Sequence, residues 1–443
     1  MKLTNISTKI RWIGVTILLA LFQTVSAQQT LTLKEAIDFA LKNKAEAQKA
    51  KLEINRGDLK IKEAKAGALP QISGSANVQY NAIIQESALQ MNDELMVIRM
   101  GQPWNTNATV SVYQPLFDQR VFTGLKAAKS TREFYQINAK LTDEQVIERV
   151  ATAYYQVFVT EQKLDNIDAS FENTNKVKKI IQSLYDNGLA KEIDLDRTKV
   201  GLVNIQSTRQ QIINAVTLQE NALKFYMGMP IETEIELVDE DVQINQYLLD
   251  QKFDYTKRTE VAAVLKQKEL LGYNLEATKA ALYPTVGLAV NYGINGFGEK
   301  FPIHNSTYWS DVLNFALQVK VPIFTGGATK SKIAQAQLDI DALDIDVKDM
   351  LLGLDLEFNN AKTQIENLVI NLDNQKENVE LARKVFNNTQ ANYQNGLAPL
   401  TEVLDAEQAY TEAKNNYSNV LLEYKVAEVA LLKAKGELNT IIQ

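Results

Sequence analysis

Tyr185-Asp186-Asn187-Gly188-Leu189-Ala190 stands near the middle of the chain, and Tyr393-Gln394-Asn395-Gly396-Leu397-Ala398 returns near its end. Each copy of Tyr-x-Asn-Gly-Leu-Ala closes a very long run with apolar residues at helical spacing, Val121 to Asn187 in one case and Ile333 to Asn395 in the other. At 1.5 Å per residue such a run makes a helix of about 100 Å. No globular core covers a helix of that length, so it must lie against other helices as a coiled coil. Asn-Gly supplies the left-handed residues that end a helix and let the chain reverse into the next. The hexapeptide therefore predicts the tip of a helical hairpin, and two copies predict two hairpins.

The rest of the chain repeats with the tips. Gly188 and Gly396 are 208 residues apart, and the same offset links Gly228 to Gly436. Pro70 of Lys65-Ala-Gly-Ala-Leu-Pro70 matches Pro284 of Lys279-Ala-Ala-Leu-Tyr-Pro284, and Gln114-Pro-Leu-Phe117 matches Val321-Pro-Ile-Phe324. Near-constant offsets at four landmarks predict a duplicated unit. Each unit runs from a helical stretch (Leu31–Leu69 or Tyr255–Tyr283) through two strands and a long hairpin. The domains expected are a first repeat over 28–228, an acidic, irregular linker over 229–253, and a second repeat over 254–443.

The strands alternate cleanly. Ile72, Ala76, Val78 and Tyr80 alternate with Ser73, Ser75, Asn77 and Gln79, and Ala108, Val110 and Val112 with Asn107, Thr109 and Ser111. Val286, Leu288, Val290 and Tyr292 point away from Gly287 and Asn291; Leu313, Phe315, Leu317 and Val319 alternate with Asn314, Gln318 and Lys320. One apolar and one polar face over about ten residues fits the wall of a membrane barrel. The same alternation also suits a small water-soluble sheet with one buried face. Four strands cannot close a barrel, which needs about eight. Open edges are costly in lipid or water, so the strands require partner chains, most simply a homo-oligomeric ring. Between the first two strands, 81–105 reads as a long loop, whose Met91, Met96 and Met100 suit adaptable packing better than soft-metal traffic.

Composition narrows the chemistry. The 443 residues hold no cysteine and one histidine, His304, in what reads as a loop. Disulfides, thiol nucleophiles and Cys-based metal sites are thereby excluded, and no cofactor is expected. Lys2, Lys9 and Arg11, the apolar run Ile13–Phe22 and Val25-Ser26-Ala27 predict a signal peptide over 1–27, cleaved before Gln28. A formal net charge of −7, more acidic still once those basic residues leave, disfavours nucleic acid as a partner.

Taken in order and spacing, the two tips, the Leu-Pro and Tyr-Pro strand starts, the Pro-Leu-Phe and Pro-Ile-Phe strand ends and the duplication resemble the TolC family of outer-membrane efflux and secretion ducts. The resemblance covers about residues 30 to 440. It implies a mainly α protein with a membrane β-barrel portion. As a homotrimer, each protomer would give four strands to a shared twelve-stranded barrel in outer-membrane lipid and its hairpins to a periplasmic tunnel, with the 229–253 linker in a belt around it. It also implies tips (Tyr185, Asn187, Gly188 and Leu189; Asn395, Gly396 and Leu397) that dock a periplasmic adaptor, or membrane fusion, protein joined to an inner-membrane pump of RND, ABC or MFS type.

Residue by residue, the resemblance makes Glu402 and Asp405 the constriction of the tunnel mouth. It makes Asp194 and Tyr393 the lock that holds the closed state. The family's arginine two residues past the second tip glycine is Ala398 here, so the charged part of that lock is missing or relocated to Lys191 or Arg197. From the residues alone, these charges read more readily as solvated helix faces. A periplasmic coiled-coil adaptor or structural protein of an envelope complex is the rival class, but it would need one hairpin and no lipid-facing strands. An exported enzyme would need a convergent polar site that the sequence does not display.

Overall fold

The computed structural model describes residues 29–91, 94–238, 253–302 and 307–442. The expected signal peptide over 1–27, His304 and residues 239–252 of the linker lie outside them. In chain order the elements are β1 (Gln29–Leu31), α1 (Leu33–Asn43), α2 (Ala45–Ala66), β2 (Gln71–Tyr80), β3 (Glu86–Met91), β4 (Glu94–Arg99), β5 (Trp104–Phe117), α3 (Gln119–Asp186) and α4 (Glu192–Met227). There follow β6 (Ile235–Leu237), α5 (Thr259–Ala280), β7 (Thr285–Gly298), β8 (Tyr308–Lys320), α6 (Ala328–Gln394) and α7 (Leu400–Lys435). Among the described residues no helix is long and apolar enough to cross a membrane.

The helices begin and end where local chemistry dictates. Thr32 and Glu35 form a reciprocal capping box at the start of α1. Gly228 (φ 73°) and Gly436 (φ 71°) end α4 and α7 in the left-handed region. Beyond them Met229 N donates to Lys224 O and Glu437 N to Leu432 O, each at 2.8 Å, closing the last turn. The single helix expected over 31–69 is instead broken at Lys44, whose backbone is extended (ψ 130°). Its ammonium donates to the Phe225 carbonyl at 2.7 Å and sits 3.8 Å from that ring's centroid. A tertiary contact overrides propensity there.

Of the described residues, those within Met1–Lys51, Ala139–Val261 and Met350–Gln443 make one compact unit, and those within Leu52–Asn138 and Ala262–Asp349 the other. In the first, Leu33 and Ile37 of α1 pack with Val150, Tyr154 and Val157 of α3 and Leu223 of α4. β1 pairs in parallel with β6, so the linker expected to be irregular holds a strand. Three residues carry no readable period, and this strand exists only through its partner. On α6, Phe358, Ala361, Ile365, Leu368 and Leu372 are buried at alternating spacings of three and four, against Tyr424, Ala427, Leu431 and Ala434 of α7. That is the seam of a coiled coil. The buried positions of α3 keep the same spacing through Ile167, Ser170, Thr174, Val177 and Ile181, but two of them are polar.

Two of this unit's charged clusters bear on its stability. Arg258, 2% exposed, donates through Nε and Nη2 to both oxygens of Glu260 at 3.1 and 3.0 Å. It also reaches Glu357 and the Ala434 carbonyl, each at 3.1 Å. Glu161, Asp165, Glu236 and Lys414 line a cavity of about 700 Å³. Burial, and then the negative charges of Glu220, Asp165 and Glu236, push the Glu161 carboxyl from 4.5 up to about 7. The unfolded chain thus ionises this group first. The folded state pays nothing below about pH 4.5, is progressively disfavoured up to about pH 7, and carries the full penalty above it. Glu161→Gln is expected to raise the melting temperature at about pH 8 and leave it unchanged at about pH 4, with a small rise because the site is partly solvated. An equal rise at both values would trace the gain to packing instead of charge.

In the second unit, β2, β5, β7 and β8 form one antiparallel sheet in the order β2-β5-β7-β8. The register aligns the alternation of every strand. Ile72, Val112, Val290 and Phe315 make one apolar rung, and Gly74, Val110, Tyr292 and Leu313 the next. On the other face, Ser73, Ser111, Asn291 and Asn314 make a polar rung, with Asn291 Nδ2 donating to Asn314 Oδ1 at 3.0 Å. Asp311 shares a rung with Ala76, Ala108 and Ile294, a carboxylate on the apolar face, and Val78, Thr106, Gly296 and Trp309 make the next rung. The long loop expected over 81–105 is in fact a second hairpin, β3 with β4. Apolar residues on both of its faces hid its period. Below the sheet's strands in sequence, α2 crosses α3 closely: a Cβ on Gly57 would lie 2.9 Å from Arg132 Cα.

Candidate functional site

The two tips are built alike. Asn187 Nδ2 donates to Ser183 O at 2.7 Å and Asn395 Nδ2 to Ala391 O at 2.9 Å, each folding back over its own last turn. Gly188 (φ 74°) and Gly396 (φ 73°) then turn left-handed. Leu189 N donates to Leu184 O and Leu397 N to Asn392 O, both at 2.8 Å. This bonding satisfies the orphan carbonyls of α3 and α6, while a β-carbon at either glycine would meet open space but a strained φ. The chain restarts with acidic residues in the first turn, Glu192 and Asp194 in α4 and Glu402 in α7, where the helix dipole favours them. Leu189 and Leu397 are left 76% and 78% exposed, and Tyr185 is exposed beside them.

Behind the tips the two hairpins share a small core of Val177, Ile181, Leu195, Phe386, Leu400 and Val403. Tyr393 packs against it. Its hydroxyl is pushed above the ordinary tyrosine value, first by burial and then by the negative charge of Asp194. Tyr393 and Leu195, the neighbour of Asp194, share this core, but no hydrogen bond joins Tyr393 to Asp194. The charge that answers Asp194 is Arg197, one turn along its own helix at 3.8 Å. Lys191 occupies the N-cap position of α4 with no side-chain capping bond. Glu402 and Asp405 are both exposed, while Val403 and Ala406 beside them are buried. The two carboxylates therefore project from one side of α7, away from the hairpin core.

Sequence reasoning missed a buried polar seam just behind this core. Glu407 is 7% exposed, accepts from Thr411 Oγ1 at 3.1 Å and lines a groove with the Ser170 hydroxyl of the other hairpin. Burial raises its pKa above the ordinary value, against the Ser170 and Thr411 hydroxyls and the charge of Lys414. Thr174 and Asn415 line the same groove, of about 820 Å³, where Thr174 Oγ1 and Asn415 Oδ1 are buried without a partner. Polar groups in a coiled-coil seam lower the cost of parting the helices. The signal was available: Ser170 and Thr174 occupy positions where the three-four spacing demands apolar residues.

The profile of the family described as "Outer membrane efflux protein" matches residues 36–229 and 256–437, one segment in each half of the chain. The proteases secretion protein PrtF of Dickeya chrysanthemi is 20% identical over 93% of this chain and 89% of its own length. The outer membrane protein TolC of Salmonella enteritidis is 21% identical over 94% and 84%. Among solved structures, the outer membrane protein VceC of Vibrio cholerae superposes with a TM-score of 0.70 at 18% identity, covering 91% of this chain and 96% of that one. A match to the family profile across both halves, a shared channel fold and paired helical tips lead to one conclusion: the chain belongs to the outer membrane efflux protein family, the TolC family of outer-membrane channels.

Proposed function

We propose that three copies of this chain form the passive exit duct of a tripartite efflux or type I secretion system. The observation that carries this is the four-stranded sheet, whose apolar and polar faces align from strand to strand while, among the described residues, the outer edges of β2 and β8 stay unpaired. Twelve strands from three copies close a barrel, set the apolar face in lipid and the polar face on water, and remove both edges. Leu338, Ile345 and Leu352, exposed at heptad spacing along α6, are a second seam for a neighbouring copy. The two halves descend from one duplicated unit, and the linker over 229–253 joins the belt around the tunnel.

In this reading the tips face the inner membrane. The exposed Leu189 and Leu397, with Tyr185, Asn187, Gly188, Asn395 and Gly396, dock an adaptor protein that brings the pump. Glu402 and Asp405 of three copies place six carboxylates around the axis, a ring that admits cations and holds multivalent ones. Asp194 and Tyr393 lock the hairpins, with Arg197 supplying the positive charge absent at Ala398, and the polar seam at Glu407 lets them part.

Single-channel recording tests the duct. The trimer in a planar bilayer is expected to show a small, cation-selective conductance that di- or trivalent cations block from the side of the tips. The double variant Glu402→Ala, Asp405→Ala is expected to lose most of that block while remaining trimeric, and Tyr393→Phe to conduct more. A double variant that keeps the full block would place the ring on other residues. A protein that stays monomeric in detergent and forms no channel would remove the duct reading altogether.

A further inference from the structure

The hairpin β3–β4 is not explained by a duct. Its register pairs Ser87 with Ile98 and Leu89 with Met96 on one face, and Ala88 with Val97 and Gln90 with Leu95 on the other. Leu95 is 71% and Val97 56% exposed on one face, and Leu89, Met96 and Ile98 are exposed on the other. The Glu86–Arg99 ion pair at 3.0 Å is the polar contact at its base. An isolated two-stranded hairpin is marginal in water, and one with apolar residues on both faces needs cover on both.

The hairpin's root is firmly held. Asn81 N donates to Pro103 O at 2.7 Å, and Met100 N to Gln85 O at 3.1 Å. Beneath them the Trp104 ring packs on Tyr80 at 4.8 Å and on Phe301 at 5.0 Å between centroids. An aromatic level of this kind belongs at a membrane–water interface, which puts the hairpin outside the hydrocarbon. The matching turn of the second half, between β7 and β8, carries no such hairpin among its described residues. Nor does the wall of the barrel need it.

We propose that the β3–β4 hairpins of neighbouring copies pack on one another above the barrel and form an apolar constriction at its mouth. The inference rests on the ring reading given above. Two features single out a second copy as the occupant. The hairpin continues directly from β2, an edge strand whose free side faces the next copy in a closed ring. In addition, every member of a ring has a neighbour on each side, so a ring covers both apolar faces at once. A bilayer surface or a single foreign partner covers one. Apolar side chains crowding a pore gate it by dewetting and set a size threshold independent of the carboxylates at the tips.

The absence of native cysteine makes the test direct. Leu95→Cys, near the hairpin's turn, is expected to link neighbouring chains by a disulfide when the purified trimer is oxidised with copper-phenanthroline. One cysteine per chain pairs once, so the limit is linked dimers with the third chain free. Removing Glu86–Arg99 in favour of a short turn is expected to raise conductance about twofold or more without changing the oligomer. Light scattering on the same reduced samples separates the two readings. A trimer that neither cross-links nor conducts more overturns the hairpin constriction and leaves the ring intact, whereas a monomer overturns the ring and the constriction with it. A Leu95→Cys label quenched by nitroxide lipids, with no disulfide, places the hairpin on the bilayer and likewise overturns the proposal.

Discussion

Arg258→Met is expected to destabilise the folded chain by about 3 kcal/mol at neutral pH, seen as a fall of several degrees in thermal unfolding of the detergent-solubilised protein. The guanidinium is almost wholly buried and holds Glu260, Glu357 and the Ala434 carbonyl together. Methionine fills much of the space but leaves two carboxylates and a carbonyl without their donor. Breaking a buried pair from one side costs about 3–5 kcal/mol, and the partial exposure of both glutamates places this case at the low end. The effect has a pH signature. Burial alone would raise the Glu260 carboxyl, but the bonds and charge of Arg258 bring it below its ordinary 4.5. A depressed carboxylate stabilises the fold above its unfolded value and loses that contribution as pH falls through the folded value. The gap between wild type and Arg258→Met is therefore widest near neutrality and narrows below about pH 4.5. A gap that stays constant with pH would mean that Arg258 acts by packing.

Val290→Lys is the second large effect, and it tests the barrel. Val290 lies in the apolar rung with Ile72, Val112 and Phe315, and Asn291 beside it lies in the polar rung with Ser73, Ser111 and Asn314. If the apolar face meets lipid, a lysine at Val290 costs about 2–4 kcal/mol near the midplane. Asn291→Lys, one residue away on the water side, is expected to assemble normally and to alter ion selectivity instead. Yield of heat-resistant trimer from lipid vesicles reads both variants. Equal tolerance at the two positions would point to a sheet with water on both faces and would remove the membrane barrel.

Much of this architecture is local and was legible in the chain. Asn-Gly marks a helix reversal because only a left-handed residue closes that end, so both tips could be read one residue at a time. Strand alternation is equally local, since the side-chain period of two is a property of the backbone. The exposed side shared by Glu402 and Asp405 follows from helical spacing alone. Other features depend on partners distant in sequence. The break at Lys44 is made by Phe225, and β6 by β1, neither of which a local pattern announces. The β3–β4 hairpin escaped notice because apolar residues on both faces erase the alternation that identifies a strand. Glu407 is buried by the helices packed around it, which no local pattern announces, and of the two candidates Lys191 and Arg197 only the structure pairs Arg197 with Asp194. The sequence by itself determined where the hairpin helices stop and which face of each barrel strand is apolar, because those are short-range properties of the backbone. The tertiary structure alone decided which charges are buried and which polar groups meet, because burial is set by the elements that pack around a residue and not by its neighbours in the chain.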